Sequence, residues 1–409
     1  MATTASPRPR AHLPQLDGVR ALAALFVVFH HAWLTVWPVE YAAHPRGSAR
    51  VTDVFAYGHF AVAVFIVLSG FCLALAVCRD GALRGGALGF LRRRARRLLP
   101  PFYGALLLSL VLIWTAIGAD SGTHWDLSVP VDAAGYLGNV LLLQDVVGGG
   151  QVNHVFWSVA VEWQISLLFP LLVVVWLRRG LVTAAVAGLG ASALGCALTQ
   201  RDPRLGPAHL AGLTPQFVGL FVLGMLAAHV CTARGGRASR LRDATPWTSL
   251  FVVFALGLAV ACSALGGFPA VSAHFAWLDA VAGLSAASLL VAICRPGASR
   301  LGTVLGSRPL AFLGTFAYSV YLVHAPLLQL VWQYGLAPAG RPPAQGFALL
   351  VGLGIPLVVV AARAFFAVFE RPFLSARQRA AVADAAGATS PATGRSTSRT
   401  STRSAPERS

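Results

Sequence analysis

Apolar runs of close to twenty residues recur along this chain, and that repetition leaves few folds open to it. Each run, as a helix rising 1.5 Å per residue, is long enough to cross roughly 30 Å of hydrocarbon. In lipid every backbone N–H and C=O must bond within the protein, so such runs form helices. A soluble helical array would show polar faces at a period of 3.6 residues, whereas residues 99–118 and 346–362 are apolar all round. Only 11% of the residues are charged, against roughly 25% in soluble domains. The expectation is an all-α polytopic membrane bundle. Its ten transmembrane helices cover 19–38, 56–78, 99–118, 155–177, 181–199, 210–231, 247–266, 275–294, 311–334 and 346–368.

All 32 basic residues are arginine. With the N-terminus inside, 25 fall on inner segments and five on outer loops, namely Arg46, Arg50, Arg201, Arg204 and Arg341. That asymmetry predicts an N-in/C-in orientation. The formal charge of +17 then records topology, with basic inner segments facing anionic membrane lipids. Nucleic acid is not an expected partner, because no soluble basic domain is present to bind it. The six cysteines lie within or at the ends of spans and form no CxxC pair, so they read as small apolar residues, with no disulfide framework and no metal site expected. No cleavable signal peptide is expected. The chain divides into a short cytoplasmic N-terminus (1–15), a membrane domain (16–375) and a cytoplasmic tail (376–409) too poor in aromatic residues to fold. The semi-apolar segment 133–147 reads as a re-entrant or interfacial helix, with an eleventh span as the alternative. Exclusive use of arginine and abundant alanine and glycine suggest a GC-rich bacterial genome and a plasma-membrane location.

Ionisable groups within apolar spans are costly and mark function. Arg20 and His31 stand eleven positions apart in LDGVRALAALFVVFHH. Eleven steps of roughly 100° come within about 20° of three full turns, so the two share a helix face about 16 Å apart along the axis. His30 points elsewhere and reads as packing or support. Glu162, in FWSVAVEWQISLLFP, is expected at the depth of His31, where its carboxylate would orient the imidazole and stabilise an imidazolium. A purely structural ion pair is the competing reading. Ser69 in FIVLSGFCL, and Tyr321 and His324 in YSVYLVHAPLL, could line the same cavity; Asp279 and Arg363 receive no role. In RRRARRLLPPFY, read as an inner loop leading into a span, Arg93 with Arg96 and Arg94 with Arg97 form helical pairs that suit phosphates. Lipid anchoring and topology explain the same cluster.

In this order these segments, closed by FERPF at 369–373, resemble the family 3 membrane acyltransferases. That family includes O-antigen and peptidoglycan O-acetylating enzymes and macrolide acyltransferases. The resemblance covers residues 13–375 and maps the family's arginine and essential histidine onto Arg20 and His31. It implies O-acylation from acyl-CoA, acetyl-CoA above all, with no tightly bound cofactor. Arg20, Arg93, Arg94, Arg96 and Arg97 would hold the donor, and His31 with Glu162 would deprotonate the acceptor hydroxyl. An acyl-histidine relay stays open. The acceptor would be a cell-envelope glycan or a secondary metabolite such as a macrolide. The sequence shows none of the large C-terminal hydrolase-like domain of some members, so partner-assisted transfer is not expected. The alternative is a transporter or flippase using the same buried charges, which the lack of an internal repeat weakens.

Overall fold

The computed structural model describes residues 12–38, 51–118, 120–127, 131–147, 151–201, 214–297 and 299–387, and among these no strand occurs. Eight helices are long and apolar enough to cross a membrane: α1 (Pro14–Val36), α2 (His59–Asp80), α3 (Gly86–Ile117), α4 (Trp157–Arg179), α5 (Leu181–Thr199), α7 (Trp247–Leu265), α8 (Phe275–Cys294) and α10 (Pro343–Phe373). Two bent pairs bring the number to ten. One joins α6 (Gln216–Thr232) to Gly236–Ala244 at 92°, and the other joins Arg308–Gly314 to α9 (Ala317–Ala339) at 72°. The all-helical membrane bundle is therefore present with eight to ten candidate spans, and the span placed at 311–334 straddles the second bend.

Burial is inverted relative to a soluble protein. The outward face of α7 carries Val252, Val253, Leu256 and Val260, and Cys262 is its one buried residue. Val182 on α5 and Val360 on α10 are 75% and 68% exposed. Polar and ionisable groups gather inside instead, among them Asp17, Asp279, His324 and Glu370. A surface of this kind is wetted by lipid. The interior holds two apolar clusters: one around α1, α3, α9 and α10, the other around α2, α6, α8 and the inner part of α4.

Small residues bring α2 and α6 together. A Cβ added at Gly70 would overlap the Phe221 carbonyl, and one at Gly224 would overlap that of Val67. The two backbones thus touch directly, as small residues allow in membranes. This close crossing holds α2, which carries Ser69 and Cys72, firmly in place.

Two expectations need correction, and one alternative falls. The arginine cluster is not in a loop: Arg92 to Arg97 lie inside α3, which starts at Gly86 because alanine, leucine and arginine favour helix up to the Pro100–Pro101 pair. Segment 133–147 is no eleventh span. It breaks into Ala133–Leu141 and Gln144–Val147 at Leu142, whose φ of 55° lies in the left-handed region, and neither piece crosses roughly 30 Å. Nor is the start of the tail without structure. Ala376–Ala385 is a helix, begun by a reciprocal capping box between Ser375 and Gln378. The rest of the tail from 388, and the N-terminal residues 1–11, lie outside the described residues.

Gly224→Ala should lower the melting temperature in detergent by an amount equivalent to about 1–3 kcal/mol, because the methyl group meets backbone that cannot step aside. Gly257→Ala on α7, where nothing lies within 4 Å, serves as the control and should melt no lower than the parent. Equal melting of both variants with the parent would refute the direct contact.

Candidate functional site

Pro14 opens α1 at a position where its missing N–H costs nothing, and Asp17 follows in the first turn. Asp17 accepts from His12 Nε2 at 2.6 Å and from Arg20. The other arm of Arg20 donates to Cys72 Sγ on α2 at 3.1 Å. On α3, Arg94 pairs with Glu162 of α4, while its remaining N–H groups donate to Ser69 and Ser166, each at 3.1 Å. Ser69 donates in turn to Glu162 at 3.1 Å, closing a triangle across three helices. One turn further along α3, Arg97 meets Glu370 of α10 at 2.9 Å. Glu370 is 1% exposed and also accepts from Ser319 at 2.6 Å. Every one of these cations has a carboxylate or sulfur partner, as a site poor in water demands.

These groups surround a cavity of about 400 Å³. Arg20, Ser69, Arg94, Arg97, Glu162, Tyr318 and Tyr321 line it, and Gln378 and Val382 of the C-terminal helix close one side. Arg93 and Arg96 do not face it. They border an adjoining hollow of about 500 Å³ that shares Leu73, Arg94, Arg97 and Gln378 with the first. Arg94 and Arg97 thus border both hollows, while Arg93 and Arg96 border only the second.

The cavity ends on Ser158 and Tyr321. Ser158 Oγ donates to Tyr321 Oη at 2.6 Å, and Tyr321 Oη donates to the Val155 carbonyl at 2.9 Å. His31 lies beyond this floor among other imidazoles. Its Nδ1 is 3.3 Å from His154 Nε2, which is 3.0 Å from His124 Nε2. The His324 ring centroid is 5.0 Å from that of His31. His324 donates from Nδ1 to the Tyr321 carbonyl at 2.6 Å, so its Nε2 carries the lone pair; that nitrogen is buried and has no partner. His30 turns away and donates to the Phe55 carbonyl at 2.7 Å, in keeping with a packing role. Burial, reinforced by the neighbouring imidazoles, pushes His124 down to about 3 and His154 well below its ordinary value, so both rings are neutral at physiological pH.

Glu162 is not beside His31, and the depth argument is corrected here. The α4 chain meets His31 through His154, before the helix starts at Trp157, which leaves Glu162 more than one turn deeper. There the Arg94 guanidinium takes the carboxylate, a stronger attraction in low dielectric than a neutral ring offers. Asp279, given no role by the sequence, has a partner: its carboxylate meets His59 Nε2 at 2.9 and 3.0 Å, and the His59 ring stacks on Phe275 at 3.7 Å. Arg363 lies 5.1 Å above the Phe366 ring. His124, His154, Asp17, Ser158 and Glu370 escaped the sequence reading. Asp17, Ser158 and Glu370 lie inside the quoted motifs, and His154 stands two residues before the one on α4; His124 left no local signal.

Glu162→Gln should lower stability by about 2 kcal/mol, since the pair is half-buried and lies between an exposed pair and the 3–5 kcal/mol of a fully buried one. Arg94→Gln in the same background should restore part of the loss, read as melting temperature in detergent. Full stability of the single variant would show that Glu162 is not bound to Arg94.

A family profile described as Acyltransferase domain matches residues 13–363. YrhL of Bacillus subtilis (strain 168), named as a candidate peptidoglycan O-acetyltransferase, is 25% identical over 335 residues, covering 78% of this chain and 49% of YrhL. The acyltransferase MdmB of Streptomyces mycarofaciens is 26% identical over 333 residues, covering 76% of this chain and 78% of MdmB. The chain thus spans about half the length of the first relative. No solved structure gives a significant match. With eight to ten candidate membrane spans and the family profile running from α1 into α10, this chain belongs to the acyltransferase family that the profile describes.

Proposed function

We propose that this protein transfers an acyl group, acetyl above all, from acyl-CoA to a hydroxyl of a glycan or of a secondary metabolite such as a macrolide. The observation that carries the reading is the cavity that runs from the paired arginines to the Tyr321 floor, with His31 and His324 immediately behind it. Arg93 and Arg96 border the adjoining hollow and would take the nucleotide phosphates as bidentate donors. The inner cavity would receive the pantetheine arm, an apolar-walled channel with polar groups spaced along it. The separation of about 16 Å between Arg20 and His31 suits that arm. The arm would displace Tyr321 and bring the thioester to the imidazoles gathered at His31. There they would take up the hydroxyl proton as the acceptor oxygen attacks the carbonyl carbon. The arginine distribution supports an arginine end that faces the cytoplasm, where acyl-CoA is made. Peptidoglycan O-acetylation, named for the Bacillus relative, places a glycan among the acceptors to be tried first.

Purified protein in nanodiscs, given acetyl-CoA and an acceptor, should release free CoA thiol. His31→Ala should lower the rate by 10²–10⁴-fold, the usual worth of proton transfer in a transition state. Arg93→Gln with Arg96→Gln should raise KM for acetyl-CoA at least tenfold and leave kcat nearly unchanged. Movement of the acceptor across the bilayer with no thiol release would favour the transporter alternative and sink this reading.

A further inference from the structure

Three imidazoles at the histidine end converge. His31 sits on α1, His124 in the short turn His124–Leu127 and His154 just ahead of α4. One nitrogen from each ring falls within 4.8 Å of the others, and His154 Nε2 stands 3.0 Å from His124 Nε2 and 3.3 Å from His31 Nδ1. Nitrogens bound at roughly 2.05 Å to a tetrahedral ion stand about 3.3 Å apart, so two of the three separations already suit ligation.

A proton wire is the other arrangement that neighbouring imidazoles adopt, and it enters each ring at one nitrogen and leaves at the other. His154 presents the same Nε2 to both neighbours, so no proton can be handed through the ring from His31 to His124. Convergence on a common point is instead what ligands do, and neutral imidazoles suit zinc and its neighbours. The second observation is His324, fully buried, whose Nε2 lone pair has no partner although its ring lies 5.0 Å from that of His31. It stands outside the converging set, so the cluster offers three ligands and a free basic nitrogen beside them. Three protein ligands with an open fourth position is the usual composition of a catalytic zinc site.

We propose that His31, His124 and His154 bind a divalent transition-metal ion of the zinc class, with one coordination position left for the acceptor's hydroxyl oxygen. The inference rests on the acyl-transfer reading and deepens it. The ion acidifies the bound hydroxyl, whose O–H bond breaks as the proton passes to His324 Nε2. The oxygen forms its bond to the thioester carbonyl carbon, the carbon–sulfur bond breaks, and the thiolate leaves and is protonated to the free thiol. His31 then serves as a ligand, and His324 is the proton acceptor.

The test uses full-length protein without a polyhistidine tag, stripped by chelator and titrated with Zn²⁺ by calorimetry and with Co²⁺ by visible absorption. One equivalent per chain should bind at micromolar Kd or tighter, and Zn²⁺ should raise the melting temperature of the parent protein. Binding should weaken at least tenfold in His124→Ala and in His154→Ala, and remain unchanged in His274→Ala, an exposed histidine on another segment. Absence of binding by the parent, or undiminished binding in both cluster variants, overturns the site. Thiol release that persists at full rate in metal-free protein overturns it too, while leaving acyl transfer standing. Tight, cluster-dependent binding with no thiol release from any acceptor supports the site and sinks the transfer reading.

Discussion

Charge in hydrocarbon must be matched by charge, and the arrangement of this bundle follows from where its few acids can be placed. The chain has 32 cations and only 15 acids, so most arginines stay at the membrane edge and a handful are drawn inward by a carboxylate. Asp17 holds Arg20, Glu162 holds Arg94 and Glu370 holds Arg97. The last two pairs tie α3 to α4 and to α10, while the first lies within α1 and frees Arg20 to reach Cys72 on α2, which Ser69 joins to Glu162 in turn. Apolar side chains cannot select such an arrangement among themselves, because lipid is as apolar as leucine. Pairing supplies the specificity, and close backbone contact at Gly70 and Gly224 supplies the packing.

The two ends of the bundle consequently differ in chemistry. At one end, guanidinium groups held by acids line the cavity and its approach. At the other, imidazoles crowd together, and His31 meets the rings of His30, His124, His154 and His324. Cationic recognition and neutral, lone-pair chemistry are thereby kept apart by about three helical turns of α1. A single helix whose Arg20 and His31 share a face is enough to join them.

That shared face was legible in the sequence because it depends on one helix and a fixed angle per residue. The spans were legible for the same reason: length and hydropathy are local properties. Relations between helices were not. Equal residue counts from assumed helix ends put Glu162 level with His31, yet depth along an axis says nothing about which helix lies between, and α3 brought Arg94 to the carboxylate. The extension of α3 back to Gly86 was hidden because arginine is both a topology signal and a good helix former. His124 and His154 sit in segments between spans whose path depends on the whole bundle, so no periodicity could have joined them to a histidine on α1.

The hydroxyl contact between Ser158 and Tyr321 has a consequence for the membrane as a whole. A passage lined by polar groups from one face to the other is a leak, and each elementary charge crossing a bilayer carries about 2.3 kcal/mol per 100 mV. Tyr321, held on Ser158 and on the Val155 carbonyl, stands between the cavity lined by arginines and the imidazoles around His31. A slender arm that lifts the phenol would itself fill the gap it opens. The protein could then hand a small group towards the far side without a continuous water column, preserving the ion gradients on which the cell runs.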